Sequence, residues 1–393
     1  MKRTDLPDPL VLFVVNDPAF FVSHRLPVAR AAVDAGYDVH VATPSGPAVE
    51  KIRAAGLQHH VLPLSRSGKH PFSEIRTLLR LYRLFRSLRP GIVHLVTIKP
   101  VLYGGLMARL CGIDGVVAAI SGLGYAFSAS GRQARLFRRL VLAPLYRLAL
   151  GHPNLRIIFQ NADDREVLTA MGAVREEQAV IIRGSGADLD HYVPAPEPAG
   201  PPLVVMAGRL LRDKGIAEFV NAARLLQERG VEGRFALVGR PDPGNPASIS
   251  EQTLRRWQRE GAAEWWGFCP DMARVFAQAS LVVLPSYYGE GLPKVLIEAA
   301  ACGRAVVTTD WPGCRDAIEP DVTGLLVPPR DTAALADATA ALLNDPARRH
   351  AMGQAGRRLA ERAFDIRKVV ADHLAIYAGL LPGTGRPDTV SRL

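Results

Sequence analysis

Short apolar runs alternate with segments of helical periodicity along most of the chain, and the alternation occurs twice. The runs have the length of buried strands, as in "LVLFVVN" and "GIVHLVT" in the first half and "PLVVMAG" and "LVVLPS" in the second. Helical stretches separate them, for example from about 24 to 36 and from about 72 to 88. Strands separated by helices pair in parallel, with right-handed crossovers. The sequence therefore predicts two α/β domains of similar size that face each other.

The segment "VPAPEPAGPP" interrupts this alternation near the middle of the chain. Its five prolines cannot continue a helix or a central strand, so we interpret it as an interdomain linker. A chain of 393 residues is also too long for one ordinary core. We predict a first domain over 1–194, a linker over 195–202, a second domain over 203–365, and a C-terminal helix and tail over 366–393, disordered beyond Pro382.

Several classes of protein do not fit the sequence. The longest apolar run, over 139–150, is broken by Pro144 and Arg147 and is much shorter than the roughly 20 residues that cross a bilayer. The four cysteines show neither a CxxC pair nor metal-ligand spacing, so we interpret them as reduced structural thiols. The N-terminus is more typical of a first strand than of a signal peptide. We expect a cytoplasmic protein with no metal.

The net charge of +10 is concentrated in the first half, where residues 1–200 hold 24 Lys and Arg but 16 Asp and Glu. One acid-free stretch, from 115 to 162, contains Arg132, Arg135, Arg138, Arg139, Arg147 and Arg156. These arginines and those of 76–89 are interleaved with Leu, Phe and Tyr, which favours contact with an anionic membrane at its inner face. The alternative is a solvated helix face over an ordinary core. No nucleic-acid-binding module accompanies the charge, so nucleic acid is not expected.

The segment "VVMAGRLLRDKGI" places cations at the end of a predicted strand. Gly208 follows the strand, Arg209 and Lys214 come next, and a helix begins after them. Backbone amides, the helix dipole and two cations together form a phosphate site. The alternative is that both charges are solvated at the surface.

The segment "EGLPKVLIEAAACG" contains two glutamates eight positions apart. If a helix begins near Pro293, a favoured first position, Glu290 lies in the preceding turn and Glu298 in the second helical turn. Glu298 has apolar neighbours, and a buried carboxylate is costly unless it is paired or hydrogen-bonded. A ribose diol would supply two donors. The alternative is a structural ion pair.

Glu290 and the backbone amides of Gly291, Leu292 and Lys294 offer acceptors and donors side by side, as the hydroxyls of a sugar require. The alternative for Glu290 is a charge at a helix end. In "TGLLVPP", Gly324 permits a close backbone approach, although a loop glycine is the simpler interpretation.

These motifs, with "LVGRPD", "WWGFCPDM" and "ACGRAVVTT", resemble those of the retaining GT-B glycosyltransferases of family 4. The resemblance covers most of residues 180–345. The first domain matches more loosely, through "FFVSHRLPVARAAVDAGYDVHVAT" and "RPGIVHLVTIKPVLYGG". The whole pattern looks like the subgroup that extends lipid-linked saccharides in bacterial surface-glycan assembly. It implies the GT-B fold, with two Rossmann-like domains across a cleft.

The resemblance also implies roles for the residues. Arg209, Lys214 and Glu290 would be the catalytic residues, the two cations stabilising the leaving diphosphate and Glu290 holding the donor sugar. Glu298 would hold the ribose, and the base would lie near Gly239, Arg240 and the "WGFCPDM" loop. The implied nucleotide-sugar site contains Gly208, Arg209, Lys214, Gly239, Glu290, Gly291, Leu292, Pro293, Lys294 and Glu298, with Asn16 and Gly324 as further candidates.

The first domain departs from the family pattern. The first strand is followed by "NDPAFFVSHRL" instead of a Gly-Gly loop, so Asn16 or nearby amides would contact the donor phosphate, or the loop would serve the acceptor. The region "ISGLGYAF" lacks the histidine of many relatives, which leaves His24 and Lys99 as acceptor-cleft candidates. The "DLD" of 188–190 resembles a metal motif of another glycosyltransferase fold and is rejected, and no NAD fingerprint is present.

We therefore expect a retaining, metal-independent hexosyltransferase that needs no cofactor and uses a UDP-sugar as co-substrate. The sugar would be an N-acetylhexosamine or a hexose, and the acceptor an undecaprenyl-diphosphate-linked saccharide or a glycan. Two alternatives stay open: a nucleotide-sugar 2-epimerase of the same fold, and a non-catalytic basic lipid-binding protein.

Overall fold

The computed structural model describes residues 9–64, 71–124, 136–242 and 244–381. Arg132 and Arg135 of the acid-free stretch, and the tail beyond Pro382, lie outside the described residues. The chain forms two compact units. The first contains the chain up to Ser185 and again from Arg367 onward, and the second runs from Gly186 to Ile366.

The first unit contains a parallel sheet, and the runs "LVLFVVN" and "GIVHLVT" form two of its strands. The strands are β1 (Leu10–Val15), β2 (Asp38–Thr43), β3 (Gln58–Val61), β4 (Ile92–Val96), β5 (Gly115–Ile120), β6 (Leu155–Phe159) and β7 (Ala179–Ile181). Their order is β3-β2-β1-β4-β5-β6-β7. The order reverses between β1 and β4, and α/β sheets bind ligands beyond the carboxyl ends of strands at such a point.

The helices of the first unit connect these strands. They are α1 (Pro18–His24), α2 (Leu26–Asp34), α3 (Val49–Ala54), α4 (Pro71–Leu88), α5 (Ile98–Cys111), α6 (Ala143–Ala149) and α7 (Ala162–Ala170), with a π-turn at Arg138–Leu142 before α6. The helix predicted from about 24 to 36 corresponds to α2, and α1 before it was not predicted. Asp17 caps α1, and Arg25 interrupts the helical path with φ of −128°, which separates the two.

The second unit repeats the architecture with a parallel sheet ordered β10-β9-β8-β11-β12-β13. Its strands are β8 (Leu203–Ala207), β9 (Arg234–Val238), β10 (Glu264–Gly267), β11 (Leu281–Leu284), β12 (Ala305–Thr309) and β13 (Gly324–Val327). Its helices are α8 (Ile216–Glu228), α9 (Glu251–Arg259), α10 (Met272–Gln278), α11 (Lys294–Ala301), α12 (Thr332–Leu343) and α13 (Pro346–Ala363). The order reverses between β8 and β11.

The proline-rich segment predicted as a linker over 195–202 lies within the second unit. Glu197 accepts two hydrogen bonds from the buried Arg349, at 3.1 and 2.8 Å, and Arg304 donates to the carbonyl of Ala195 at 2.8 Å. The chain joins this unit nine residues before the predicted boundary at 194, because Ala187 pairs with Asp365. Buried arginines therefore hold the first part of this segment, at Ala195 and Glu197.

The C-terminal helix α14 (Ile366–Leu380), predicted as a separate element, packs on the first unit. The hydroxyl of Tyr377 lies 2.6 Å from Nδ1 of His94 in β4, and Asn154 donates to the carbonyl of Leu380 at 2.9 Å. The chain thus returns to its first sheet after completing the second unit.

All four cysteines are free thiols. Burial raises the pKa of Cys302 and of Cys314 to about 12, which favours their protonated form and agrees with a structural role. Within the described ranges, none of the helices combines the length and the apolar character needed to cross a bilayer.

Candidate active site in the second unit

The predicted donor-site loops follow β8 and β11, the two strands at which the order of the second sheet reverses. The loop after β8 contains Gly208, Arg209 and Lys214, and the loop after β11 contains Glu290. Ligands of α/β sheets bind beyond the carboxyl ends of strands at such a point. The topology therefore brings together side chains that are 76 positions apart in sequence.

Lys214 and Glu290 form a nearly buried ion pair. Nζ of Lys214 lies 2.6 Å from Oε2 of Glu290, and the two side chains are 10% and 14% exposed. Ser286 donates its hydroxyl to Oε1 of Glu290 at 2.9 Å, and the Tyr287 amide donates to the carbonyl of Asp213 at 2.9 Å, which links the two loops. Because an ammonium group has three donors, this contact leaves two for a ligand.

Arg209 is held more loosely in the same loop. Its side chain is 44% exposed, Nη1 lies 3.5 Å from Oδ2 of Asp242, and Cζ lies 6.0 Å from the centre of the Tyr288 ring. Exposed ion pairs of this kind contribute little to stability. The guanidinium is thus accessible to an anionic ligand.

Glu298 is buried and paired. Tyr192 donates its hydroxyl to Oε1 at 2.6 Å, and Nζ of Lys294 lies 3.2 Å from the same oxygen. Burial and the adjacent Glu298 carboxylate raise the pKa of Tyr192 far above its ordinary value. Helix α11 begins at Lys294, one position after the predicted start, with Pro293 as its N-cap, so Glu298 lies in the second turn as expected. The carboxylate has the ion pair that the structural interpretation predicts.

The turn between Glu290 and α11 is enclosed. Gly291, Leu292 and Pro293 are all buried, and the Glu290 amide donates to the carbonyl of Tyr288 at 2.7 Å. The turn is therefore fixed by packing, and it positions Glu290 and the start of α11 as one piece.

The loops after β9 and β10 contain the groups predicted near the base. A Cβ atom on Gly239 would lie 1.9 Å from the carbonyl oxygen of Gly208, so only glycine allows these two loops to touch. Trp265 donates its indole N–H to the carbonyl of Gly239 at 2.9 Å. Cζ of Arg240 lies 4.6 Å from the centre of the Phe268 ring, which is 60% exposed. The Arg240 guanidinium and the accessible Phe268 ring thus lie in loops next to the loop after β8.

Gly324 does not lie at this edge of the sheet. It is the first residue of β13, at the amino end, whereas the other candidates of the second unit follow carboxyl ends. A Cβ atom there would lie 2.3 Å from the carbonyl oxygen of Val306, so the glycine allows close strand pairing. The close backbone approach predicted for Gly324 is therefore present, and it serves strand pairing at the amino edge of the sheet. After the carboxyl end of β13 comes Arg330, whose Cζ lies 4.5 Å from the centre of the Tyr287 ring.

The remaining candidates lie in the first unit. Asn16 is half-buried directly after β1, at the reversal point of that sheet. His24 ends α1 with Nδ1 2.6 Å from the hydroxyl of Ser23. Lys99, in the first turn of α5, pairs with Glu74 at 2.9 Å. Glu74 also accepts from Tyr103 at 2.7 Å, so this lysine belongs to a local network.

Sequence reasoning missed two residues that contact the predicted carboxylates, Ser286 and Tyr192. Ser286 ends the run "LVVLPS", and its position four residues before Glu290 was the available signal. Tyr192 is 106 positions from Glu298, and no local pattern indicates their contact. Asp188 of the rejected "DLD" accepts from the amide of Asp190 at 3.0 Å, as in an Asx turn. Within the described ranges, no cluster of His, Cys, Asp and Glu suited to a metal ion is found.

Tyr192→Phe is expected to lower the free energy of unfolding of the second unit by about 1–3 kcal/mol, because it removes a donor from a buried carboxylate. All four tryptophans lie in this unit, so urea unfolding followed by tryptophan fluorescence reports on it selectively. Tyr288→Phe is the matched control, since the ring face near Arg209 is kept. Equal stability of the Tyr192→Phe variant and the wild type would contradict a stabilising role for the contact with Glu298.

Two family models match the chain. The model described as Glycosyl transferase 4-like matches residues 10–161, and the model described as Glycosyl transferases group 1 matches residues 201–345. Together they cover about three quarters of the chain.

Full-length relatives and solved structures agree. The N,N'-diacetylbacillosaminyl-diphospho-undecaprenol alpha-1,3-N-acetylgalactosaminyltransferase of Campylobacter jejuni is 28% identical, over 85% of this chain and 89% of that protein. The capsular polysaccharide biosynthesis glycosyltransferase CapM of Staphylococcus aureus is 23% identical, over 87% and 91%. A glycosyltransferase structure from Rickettsia africae covers 96% of this chain and 100% of its own, with a TM-score of 0.75 at 16% identity. The chain therefore has the GT-B fold and belongs to the glycosyltransferases, with a 4-like domain in its first half and a group 1 domain in its second.

Proposed function

We propose that this glycosyltransferase is a retaining, metal-independent hexosyltransferase. It transfers an N-acetylhexosamine or hexose from a UDP-sugar to an undecaprenyl-diphosphate-linked saccharide or a related glycan. The observation that carries the proposal is the Lys214–Glu290 pair beside Arg209, at the reversal point of the second sheet. The full-length similarity to a transferase acting on a diphospho-undecaprenol substrate supports the acceptor class.

The donor diphosphate binds between Arg209 and Lys214. The exposed guanidinium forms bidentate contacts with phosphate oxygens, and the ammonium group uses the donors that Glu290 does not occupy. As the bond between the sugar and the diphosphate breaks, negative charge develops on the phosphate oxygen. The two cations stabilise that charge, which is the contribution that a divalent ion would otherwise make. No cofactor is needed.

Glu290 binds a hydroxyl of the transferred sugar. Ser286 and Lys214 already fix the carboxylate from two sides, so the sugar meets an acceptor in a set position. The acceptor oxygen attacks the anomeric carbon on the face that the diphosphate leaves, and its proton passes to the departing phosphate oxygen. This front-face step retains the configuration without a protein nucleophile. Trapping a covalent glycosyl-enzyme would contradict it.

The nucleoside binds along α11 and the loops after β9 and β10. Within the described residues, both protein contacts of Glu298 use Oε1, which leaves Oε2 for a ribose diol. The base stacks at the accessible Phe268 ring beside Arg240. The acceptor is bound by the first unit, near Asn16, and the enzyme works in the cytoplasm at the inner face of the membrane, without nucleic acid. Neither the epimerase nor the non-catalytic lipid-binding alternative gains support from the matches.

A thermal-shift titration with UDP, GDP, ADP and NAD tests the donor site. UDP at about 100 times its Kd adds roughly 2.7 kcal/mol to the second unit, which raises its Tm by roughly 5–10 °C. We expect Arg209→Ala to remove most of this shift. Arg212→Ala is the matched control, because that arginine lies in the same loop but bonds to the carbonyl of Pro246. No shift with any nucleotide in folded protein would overturn the proposal.

A donor-only incubation separates transfer from epimerisation. Without acceptor, the transferase leaves the UDP-sugar unchanged apart from slow hydrolysis, whereas a 2-epimerase gives an epimerised sugar. Chromatography of the sugar after incubation with UDP-N-acetylglucosamine and with UDP-N-acetylgalactosamine distinguishes the two. Epimerised product from wild-type protein would support the epimerase instead.

A further inference from the structure

Helix α4 of the first unit exposes apolar side chains along one face. Phe72 is 86% exposed, Ile75 53%, Leu79 51% and Tyr82 39%. Their spacing of three or four residues places them in one row, because residues three and four apart are neighbours on a helix. The opposite face, with Thr77, Leu81 and Phe85, is buried in the core. The inner face of the helix therefore packs in the core, and its outer face exposes apolar side chains where a polar face is usual.

A second helical stretch, from 136 to 149, exposes a similar set. Leu136, Phe137, Leu140, Val141, Leu145 and Leu148 are between 38% and 63% exposed. Large apolar patches on a soluble protein mark interaction sites, while single exposed apolar residues need no explanation.

Helix α5 lies between these two and joins their outer faces. Cys111 contacts the carbonyl of Tyr82 in α4 at 3.8 Å, and Arg109 donates to the carbonyl of Leu148 at 3.0 Å. Between those contacts, Leu110 of α5 is itself 63% exposed. We name the outer faces of α4, α5 and residues 136–149 together the three-helix face.

Arginines that lack acidic partners accompany the apolar residues of α4. Arg76, Arg80, Arg83 and Arg86 are exposed, and no acid occurs between 75 and 113. In the described part of the chain, none of the four forms an ion pair. Exposed arginines of the second unit are often paired, as Arg224 is with Glu260, Arg229 with Asp337 and Arg234 with Glu264. Apolar side chains interleaved with unpaired cations are typical of surfaces that lie in an anionic lipid interface.

We propose that the three-helix face inserts its apolar side chains into an anionic phospholipid bilayer, with the α4 arginines on the lipid phosphates. The inference deepens the membrane location proposed above and rests on it. A second copy of the chain is a poorer occupant. In a two-fold contact, the α4 arginines of one copy would face the same arginines of the other, and like charges repel. The first turn of α4, with Phe72 and Ile75, lies at the carboxyl edge of the first sheet, since α4 precedes the parallel strand β4. The face therefore reaches the ligand-binding edge of the first unit.

Co-sedimentation with vesicles of phosphatidylcholine, with and without phosphatidylglycerol, tests the proposal. We expect the wild type to bind the anionic vesicles at least tenfold more tightly, and Leu79→Glu to lose that binding. Val167→Glu is the matched control, because Val167 is an exposed apolar residue on α7, another helix of the first unit. Arg80→Ala is expected to weaken binding about fivefold at low salt and to have little effect at high salt.

Each other outcome is decisive. Equal binding of wild type and Leu79→Glu would overturn the insertion, as would equal binding to both vesicle types. Self-association that Leu79→Glu abolishes, without vesicle binding, would assign the face to a second copy instead. The UDP thermal shift, measured on the same samples, is expected to be unchanged in Leu79→Glu. Failure of the membrane inference is thereby distinguished from failure of the donor site.

Discussion

Lys214→Ala is expected to lower kcat by about 10²–10³-fold, because the cation that stabilises charge on the leaving diphosphate is lost. The same change leaves Glu290 nearly buried without its partner at 2.6 Å. A buried charge without its partner costs several kcal/mol, so the variant is also expected to be less stable. Transfer from UDP-N-acetylgalactosamine to a synthetic undecaprenyl-diphosphate-linked saccharide, with a labelled sugar, measures kcat.

The double variant Lys214→Met with Glu290→Gln separates catalysis from stability. Both charges are removed, and the shapes are nearly kept, so we expect most of the lost free energy of unfolding to return while kcat stays low. Lys51→Met, on an exposed part of α3, is the control for loss of a lysine. A double variant with restored transfer would show that the pair serves only the fold.

Strands such as β1, β4, β8 and β11 could be predicted because they are short apolar runs, and a parallel strand covered on both faces leaves that mark in the sequence. Contacts between residues that are far apart in the sequence could not be predicted. The sequence shows that 366–380 is helical, but not that Tyr377 would meet His94, 283 positions earlier. Prolines between 193 and 202 indicate a break in regular structure, but the contact that holds this segment involves Arg349, 152 positions from Glu197.

The candidate site shows the same division. Arg209, Lys214, Glu290 and Glu298 are identifiable because their loops follow strands and their types suit phosphate and sugar. The contacts among these residues cannot be identified from the sequence, because strand order decides which loops are neighbours. The reversal between β8 and β11 is a property of the whole sheet. Gly324 begins β13 at the amino edge of the sheet, whereas ligands bind beyond the carboxyl ends of strands.

A buried polar cluster holds α14 on the first unit and makes its stability depend on pH. His94 and His373 are fully buried with ring centres 5.6 Å apart, and Arg25 is also buried. Burial, followed by the charge of Arg25, lowers the pKa of His373 from 6.5 to about 3, and burial also lowers the pKa of His94. Both rings are therefore neutral in the folded protein near neutral pH.

Between pH 7.5 and pH 5, His373 is expected to account for about 2 kcal/mol of the stability that the first unit loses. The His373→Leu variant is expected to lose that much less over the same pH range. Below pH 6.5 the unfolded chain binds a proton at His373 that the folded chain does not bind, so stability falls as the pH falls, down to about 3. The substitution itself is expected to be mild, because Nε2 of His373 is buried without a hydrogen-bond partner in the described structure. Hydrogen exchange of the β4 amides at both pH values, analysed by mass spectrometry, measures the first unit, and the β11 amides serve as the internal control. An equal pH dependence in the wild type and the variant would show that His373 is not kept neutral by the fold.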